Sequence, residues 1–125
     1  MPTYLIAAHH RPDNPFNLLE DKEPVWADLR ALDADLRAAD ALIWSRGLSD
    51  PDAAVTMRIG PDLALAEAPG PLQREAEWLS GMWVIRCADT AEAHAWARRA
   101  ARAHRCDVEL RPFLPPIPGL DEAGP

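Results

Sequence analysis

The chain has 125 residues, the usual size of a single domain, so one hydrophobic core is expected rather than two. With 48% apolar and 26% charged residues it is excluded from the polar, highly charged compositions that stay disordered. A formal net charge of -7 disfavours nucleic acid as a partner, because phosphate contacts need a dense cationic surface.

In chain order, Thr3 to Ala8 (TYLIAA) is a short apolar run with β-branched and aromatic members, which predicts a buried strand. The opening stretch to His10 is too short to span a bilayer and has no basic region before it, so neither membrane insertion nor export is expected. Arg11 to Pro24 contains three prolines and two asparagines and predicts an irregular loop, long for a compact domain. From Pro24 the residues Val25, Leu29, Leu32, Leu36, Ala39 and Ile43 recur at spacings of four and three, predicting a helix that ends near Asp40.

Ala41 to Leu48 (ALIWSRGL) predicts a strand closed by the turn residues Ser49 to Asp52. Ala54 to Ile59, the turn at Gly60 to Asp62 and the apolar return Leu63 to Ala66 predict a hairpin. Glu67 to Ser80 reads as a loop with a helical turn around Glu75 to Leu79, and Gly81 to Cys87 (GMWVIRC) as a strong strand. Asp89 followed by Glu92 has the form of a capping box, announcing a helix from Thr90 that buries Ala93, Trp96, Ala97 and Ala100. Val108, Leu110 and Phe113 alternate as a last strand, and the Pro- and Gly-rich residues 115–125 form a tail after a domain of residues 1–114.

This order, β, α, β, hairpin, β, α, β, predicts an α+β domain of ferredoxin-like arrangement. Its sheet is largely antiparallel, with two helices on one face and an added hairpin strand. The other face is left apolar, so a homodimer that buries it is expected.

Residues Pro69 to Ile85 (PGPLQREAEWLSGMWVI) resemble the signature of the YCII-related, or DGPF, family of dimeric α+β barrel proteins. Gly70, Pro71, Glu77, Leu79 and Gly81 occupy matching places, with Trp83 at the aromatic position and Val84 and Ile85 continuing the strand. Asp89 to Ala97, Glu109 to Phe113 and Leu36 to Leu48 are similar to further family segments. Pro69, Leu72, Arg74 and Ala76 depart from the family's Asp, Phe, Glu and Lys. The resemblance implies a His and Asp pair in a cleft, with the His on the first helix, but residues 25–40 contain no histidine. In some relatives it also implies links to sigma-factor regulation.

The fold places the end of the first strand beside the start of its antiparallel neighbour, so His9 or His10, Trp26, Gly70, Pro71 and Trp78 are expected to rim one ligand-binding cleft. A histidine there suits acid or base work, while Trp26 and Trp78 read more readily as core or dimer residues. His9, His10 and Asp13 offer metal-type ligands, but adjacent residues on an extended chain point to opposite faces, so no metal is expected. Cys87 and Cys106 fall at opposite ends of the sheet and read as structural, reduced thiols of a cytoplasmic protein. Arg98, Arg99, Arg102 and Arg105 with His104 form a cationic cluster that either binds an anion or is solvated helix-end charge. No phosphate loop, dinucleotide fingerprint or nucleophile elbow is present, and no cofactor is expected. The functional readings are a homodimeric module binding a small organic molecule, a small lyase- or hydrolase-type enzyme using His9 or His10, and an accessory protein-interaction module.

Overall fold

A computed structural model describes residues 1–73 and 76–120. Four strands form an antiparallel sheet in the order β2-β5-β1-β6, where β1 is Thr3–His10, β2 Leu42–Gly47, β5 Trp78–Arg86 and β6 Asp107–Pro112. Helices α2 (Glu23–Ala38) and α3 (Thr90–His104) cover one face, so the α+β, ferredoxin-like expectation holds. The hairpin of β3 (Val55–Ile59) and β4 (Leu65–Pro69) makes a two-stranded sheet of its own instead of adding a strand to the main one.

The core follows from strand alternation. Tyr4, Ile6 and Ala8 of β1 point toward the helices with their cross-strand partners Ile85 and Trp83, and meet Leu32 and Leu36 of α2. From α3 they meet Ala93, Ala97, Ala100 and Ala103, whose small side chains let the helix lie close to the sheet. The apolar stripe of α2 stops at Leu36, because Ala39 and Asp40 end the helix. There the Ala41 N–H donates to the Leu36 carbonyl and the Asp40 N–H to that of Arg37, with Asp40 in the left-handed region, a Schellman ending. At the start of α3 the Asp89 carboxylate accepts from the Glu92 N–H, and Glu92 reaches back to the Ala88 N–H.

Several boundaries differ from expectation. The Arg11 to Pro24 loop contains a helical turn, α1 (Pro15–Leu18), because Pro15 presets the first turn. Trp78, Leu79 and Ser80 belong to β5 and not to a helical turn, since they continue the pairing with β1; Arg74 and Glu75 lie outside the described residues. Phe113 lies just past β6 and is exposed, while its N–H still donates to the Thr3 carbonyl.

Two β-bulges decide which side chains face the helices. Opposite β1 the register steps from Ala8↔Gly81 to His9↔Leu79, leaving Ser80 as the extra residue. That extra residue inverts the alternation of β5, turning Trp78 toward the helices beside His10 and Leu79 away from them with His9. Opposite β5 the register of β2 steps from Leu42↔Ile85 to Trp44↔Val84, leaving Ile43 as the extra residue. Trp44 thereby joins the helix-free face and Ser45 the helix face.

Candidate functional site

The expected single cleft is divided by β1 and β5 into two cavities. On the helix-free side a cavity of about 930 Å³ is lined by His9, Pro71, Leu72, Leu79, Asp107 and the outer side of Trp78. On the helix side a cavity of about 650 Å³ between α2, β2 and β5 is lined by His10, Phe16, Trp26, Asp33, Trp83 and His104, with Trp78 again at its edge. Gly70 lines neither: it is buried in a left-handed conformation (φ 99°), its N–H donating to the Ala54 carbonyl. His9 and His10 point to opposite faces, as adjacent strand residues must.

Only the smaller cavity gathers polar chemistry onto an aromatic frame. The His10 ring lies 4.7 Å from Phe16, 5.8 Å from Trp78 and 5.1 Å from His104, measured between centroids. Phe16 also meets Trp26 edge-on at 5.8 Å and His104 at 5.2 Å, and the ammonium of Lys22 sits 5.0 Å above its ring. Phe16 is held there by its backbone, whose N–H donates to the Arg105 carbonyl at 3.0 Å.

The start of the loop is pinned just as firmly. Arg11 donates from Nε to Asp107 at 2.5 Å and from Nη2 at 3.2 Å, and its backbone N–H donates to the side chain of the buried Asn14. The Arg11 guanidinium holds the Asp107 carboxyl below the usual carboxylate range. A loop read as irregular is thus a built wall whose inner side is Phe16.

Opposite that wall, Asp33 of α2 accepts from the Trp83 indole N–H and from the Ser45 hydroxyl, each at 3.0 Å. One carboxylate so fixes α2 to both β2 and β5 at the cavity.

His104 belongs here and not with the arginines. It ends α3 on the stripe of Ala93, Ala97 and Ala100, so its ring turns inward to His10, Phe16 and Trp83. Two of the arginines are engaged with α2, Arg99 with Asp35 at 2.5 Å and Arg105 with Asp28 at 2.7 Å, which explains part of the cluster as inter-helix ion pairing.

Arg105 adopts a left-handed conformation (φ 56°) after the last turn of α3, and the chain re-enters the protein at the buried Cys106. One donor atom each from His10, His104 and Cys106 lie within 4.8 Å of one another. His10 Nε2 and His104 Nδ1 are buried and find no hydrogen-bond partner among the described residues. Burial lowers the pKa of His10; burial and then the neighbouring His10 bring that of His104 down to about 4. Burial, reinforced by Asp107, pushes the Cys106 thiol up to about 12. Both rings are therefore neutral at neutral pH. Cys87 is also buried and free, at the far end of the sheet.

The family model described as YCII-related domain matches residues 3–115, most of the chain. The chain belongs to the YCII-related family. No curated protein matches it. In this YCII-related domain α2 carries no histidine, yet Asp33 of α2 and His10 of β1, from different elements, line one cavity. Sequence reasoning missed Phe16, Asp33, Trp83, His104 and Cys106. Only His104 left a readable signal, its place on the alanine stripe of α3. Among the described residues no helix is long and apolar enough to cross a membrane.

Proposed function

We propose that this YCII-related domain is a homodimeric module that binds a small planar organic molecule in the helix-side cavity. The observation that carries the reading is the ring of Phe16, Trp26, Trp78, Trp83, His10 and His104 around a space of about 650 Å³. That volume suits a small organic ligand, and aromatic walls with a few fixed polar groups are what such sites use. Asp33 and Arg46 supply polarity at the rim, and Trp26, 41% exposed, stands where a ligand would pass.

Dimerisation is supported by apolar side chains left exposed on the helix-free side. On that sheet face Ala7 and Val84 are buried and Leu5 and Met82 half-buried, while Trp44 and Leu79 beside them are exposed. On the hairpin Val55, Met57, Ile59 and Leu65 share one side and are each 62–64% exposed. Contiguous apolar surface of this kind is normally buried by a partner, and for a small domain a second copy by twofold symmetry is the commonest one.

The direct test follows tryptophan fluorescence of the full chain during titration with 8-anilinonaphthalene sulfonate and with simple aromatic carboxylates and phenols. Saturable binding that is weakened at least tenfold in both Trp26→Ala and Trp78→Ala is expected. Failure of every probe to bind, or affinity unchanged in both variants, overturns the reading.

Acid–base catalysis is the second reading, favoured by the neutral His10 ring in the cavity wall. Turnover of a bound ester or hydroxy acid that disappears in His10→Gln would select it.

A further inference from the structure

His10 and His104 form part of the cavity wall, but their closest chemical relation is with a residue that does not line the cavity. Cys106 lies behind the pair, and the three donor atoms come within 4.8 Å of one another. They arise from three different parts of the chain: the last residue of β1, the last residue of α3 and the connection into β6.

His10 is 7% exposed, and its Nε2 is aimed into the protein with no partner among the described residues; His104 Nδ1 is in the same condition. Buried polar atoms are nearly always satisfied, so two orphaned imidazole nitrogens beside one buried thiol ask for a common partner. A cation supplies one. The geometry points to a zinc-class metal site formed by His10, His104 and Cys106.

The donor set selects the ion. Two imidazoles and a thiolate suit zinc or another borderline-to-soft transition metal and do not suit magnesium or calcium, which take oxygen. Tetrahedral zinc with bonds of about 2.0–2.3 Å separates its ligand atoms by about 3.3–3.6 Å, so the trio must close by roughly an ångström. Side-chain rotation supplies that, since the rings stand edge to face with centroids 5.1 Å apart and need not pass through one another. Binding is balanced by one proton: the ion replaces the hydrogen on Cys106 Sγ, while both imidazoles are already neutral and release none. Three protein ligands leave one position of a tetrahedral zinc ion for a water or another small donor.

Zinc binding at this trio is independent of whether the cavity takes an organic ligand, because none of the three donors is supplied by the ligand. The test titrates the full chain, freed of metal by chelation and kept reduced, with zinc(II) alone against a chromophoric chelator, and separately with cobalt(II). The expected result is one zinc per chain with release of one proton, and a sulfur-to-cobalt charge-transfer band. Affinity should fall at least about 100-fold in Cys106→Ala and in His104→Ala, and stay unchanged in Cys87→Ala. The cobalt band needs no variant, so it answers even if a substitution prevents folding. No stoichiometric zinc binding, cobalt bound without the sulfur band, or undiminished affinity in a folded Cys106→Ala overturns the site.

Discussion

His104 should make the stability of the domain fall between pH 6.5 and about 4. In the unfolded chain its imidazole takes up a proton near the ordinary value of 6.5, whereas in the folded protein burial and His10 delay protonation to about 4. Between those values the unfolded state binds the extra proton, so stability is complete above pH 6.5 and is lost as the pH falls toward 4. At about 1.4 kcal/mol per pH unit the interval corresponds to about 3 kcal/mol. The ring is only half-buried, and solvent screening reduces this to about 2 kcal/mol. His10, lowered by burial, adds in the same direction.

Replacing His104 with Phe keeps a ring against Phe16 and Trp83 and removes the titrating group. Urea unfolding followed by tryptophan fluorescence, with a chelator present, should therefore give a wild-type stability that drops by about 2 kcal/mol more than that of His104→Phe over this range. Parallel pH profiles for the two proteins would refute the reasoning.

Gly81→Ala should push β2 a few tenths of an ångström away from β5, because a Cβ there would lie 3.1 Å from the Arg46 carbonyl oxygen and 3.2 Å from Gly47 Cα, both backbone atoms. A loss of about 1–3 kcal/mol in chemical denaturation is expected. Asp33→Ala leaves the Trp83 indole N–H and the Ser45 hydroxyl without their acceptor and should cost about 1–3 kcal/mol, with a shift in tryptophan emission. Met57→Glu combined with Ile59→Glu places two charges on the apolar side of the hairpin. Light scattering should then change from twice the chain mass to the chain mass, and a wild type that is already monomeric would remove the dimer.

The two long helices, the four strands of the main sheet and their order could be read from the sequence because each carried its own period. The stripe of Val25, Leu32 and Leu36 was sufficient for α2, and Asp89 with Glu92 for the start of α3. His10, Trp26 and Trp78 could be brought together from topology alone, since β1 ends where β5 begins. What could not be read was anything that depends on counting across strands. Ser80 and Ile43 look like ordinary strand residues, and nothing local to them reveals that one stands outside the register with β1 and the other outside that with β5. Phe16 was hidden for a different reason, because what fixes the loop is a set of bonds from Arg11, Asn14 and Phe16 to Asp107 and Arg105, more than 80 residues away. Cys106 had no pattern to belong to, being a single residue between a helix and a strand.

Since the unpaired Ser80 determines that Trp78 and not Leu79 looks toward the helices, the character of the cavity depends on the register of β5 as much as on its composition. Closing the bulge with every residue kept would set Ser80 opposite His9 and Leu79 opposite His10, exchanging an indole for an isobutyl group at the cavity. What a ligand would meet at this edge is thus decided by how two strands are paired, and a slip of one position would change it with no change of sequence.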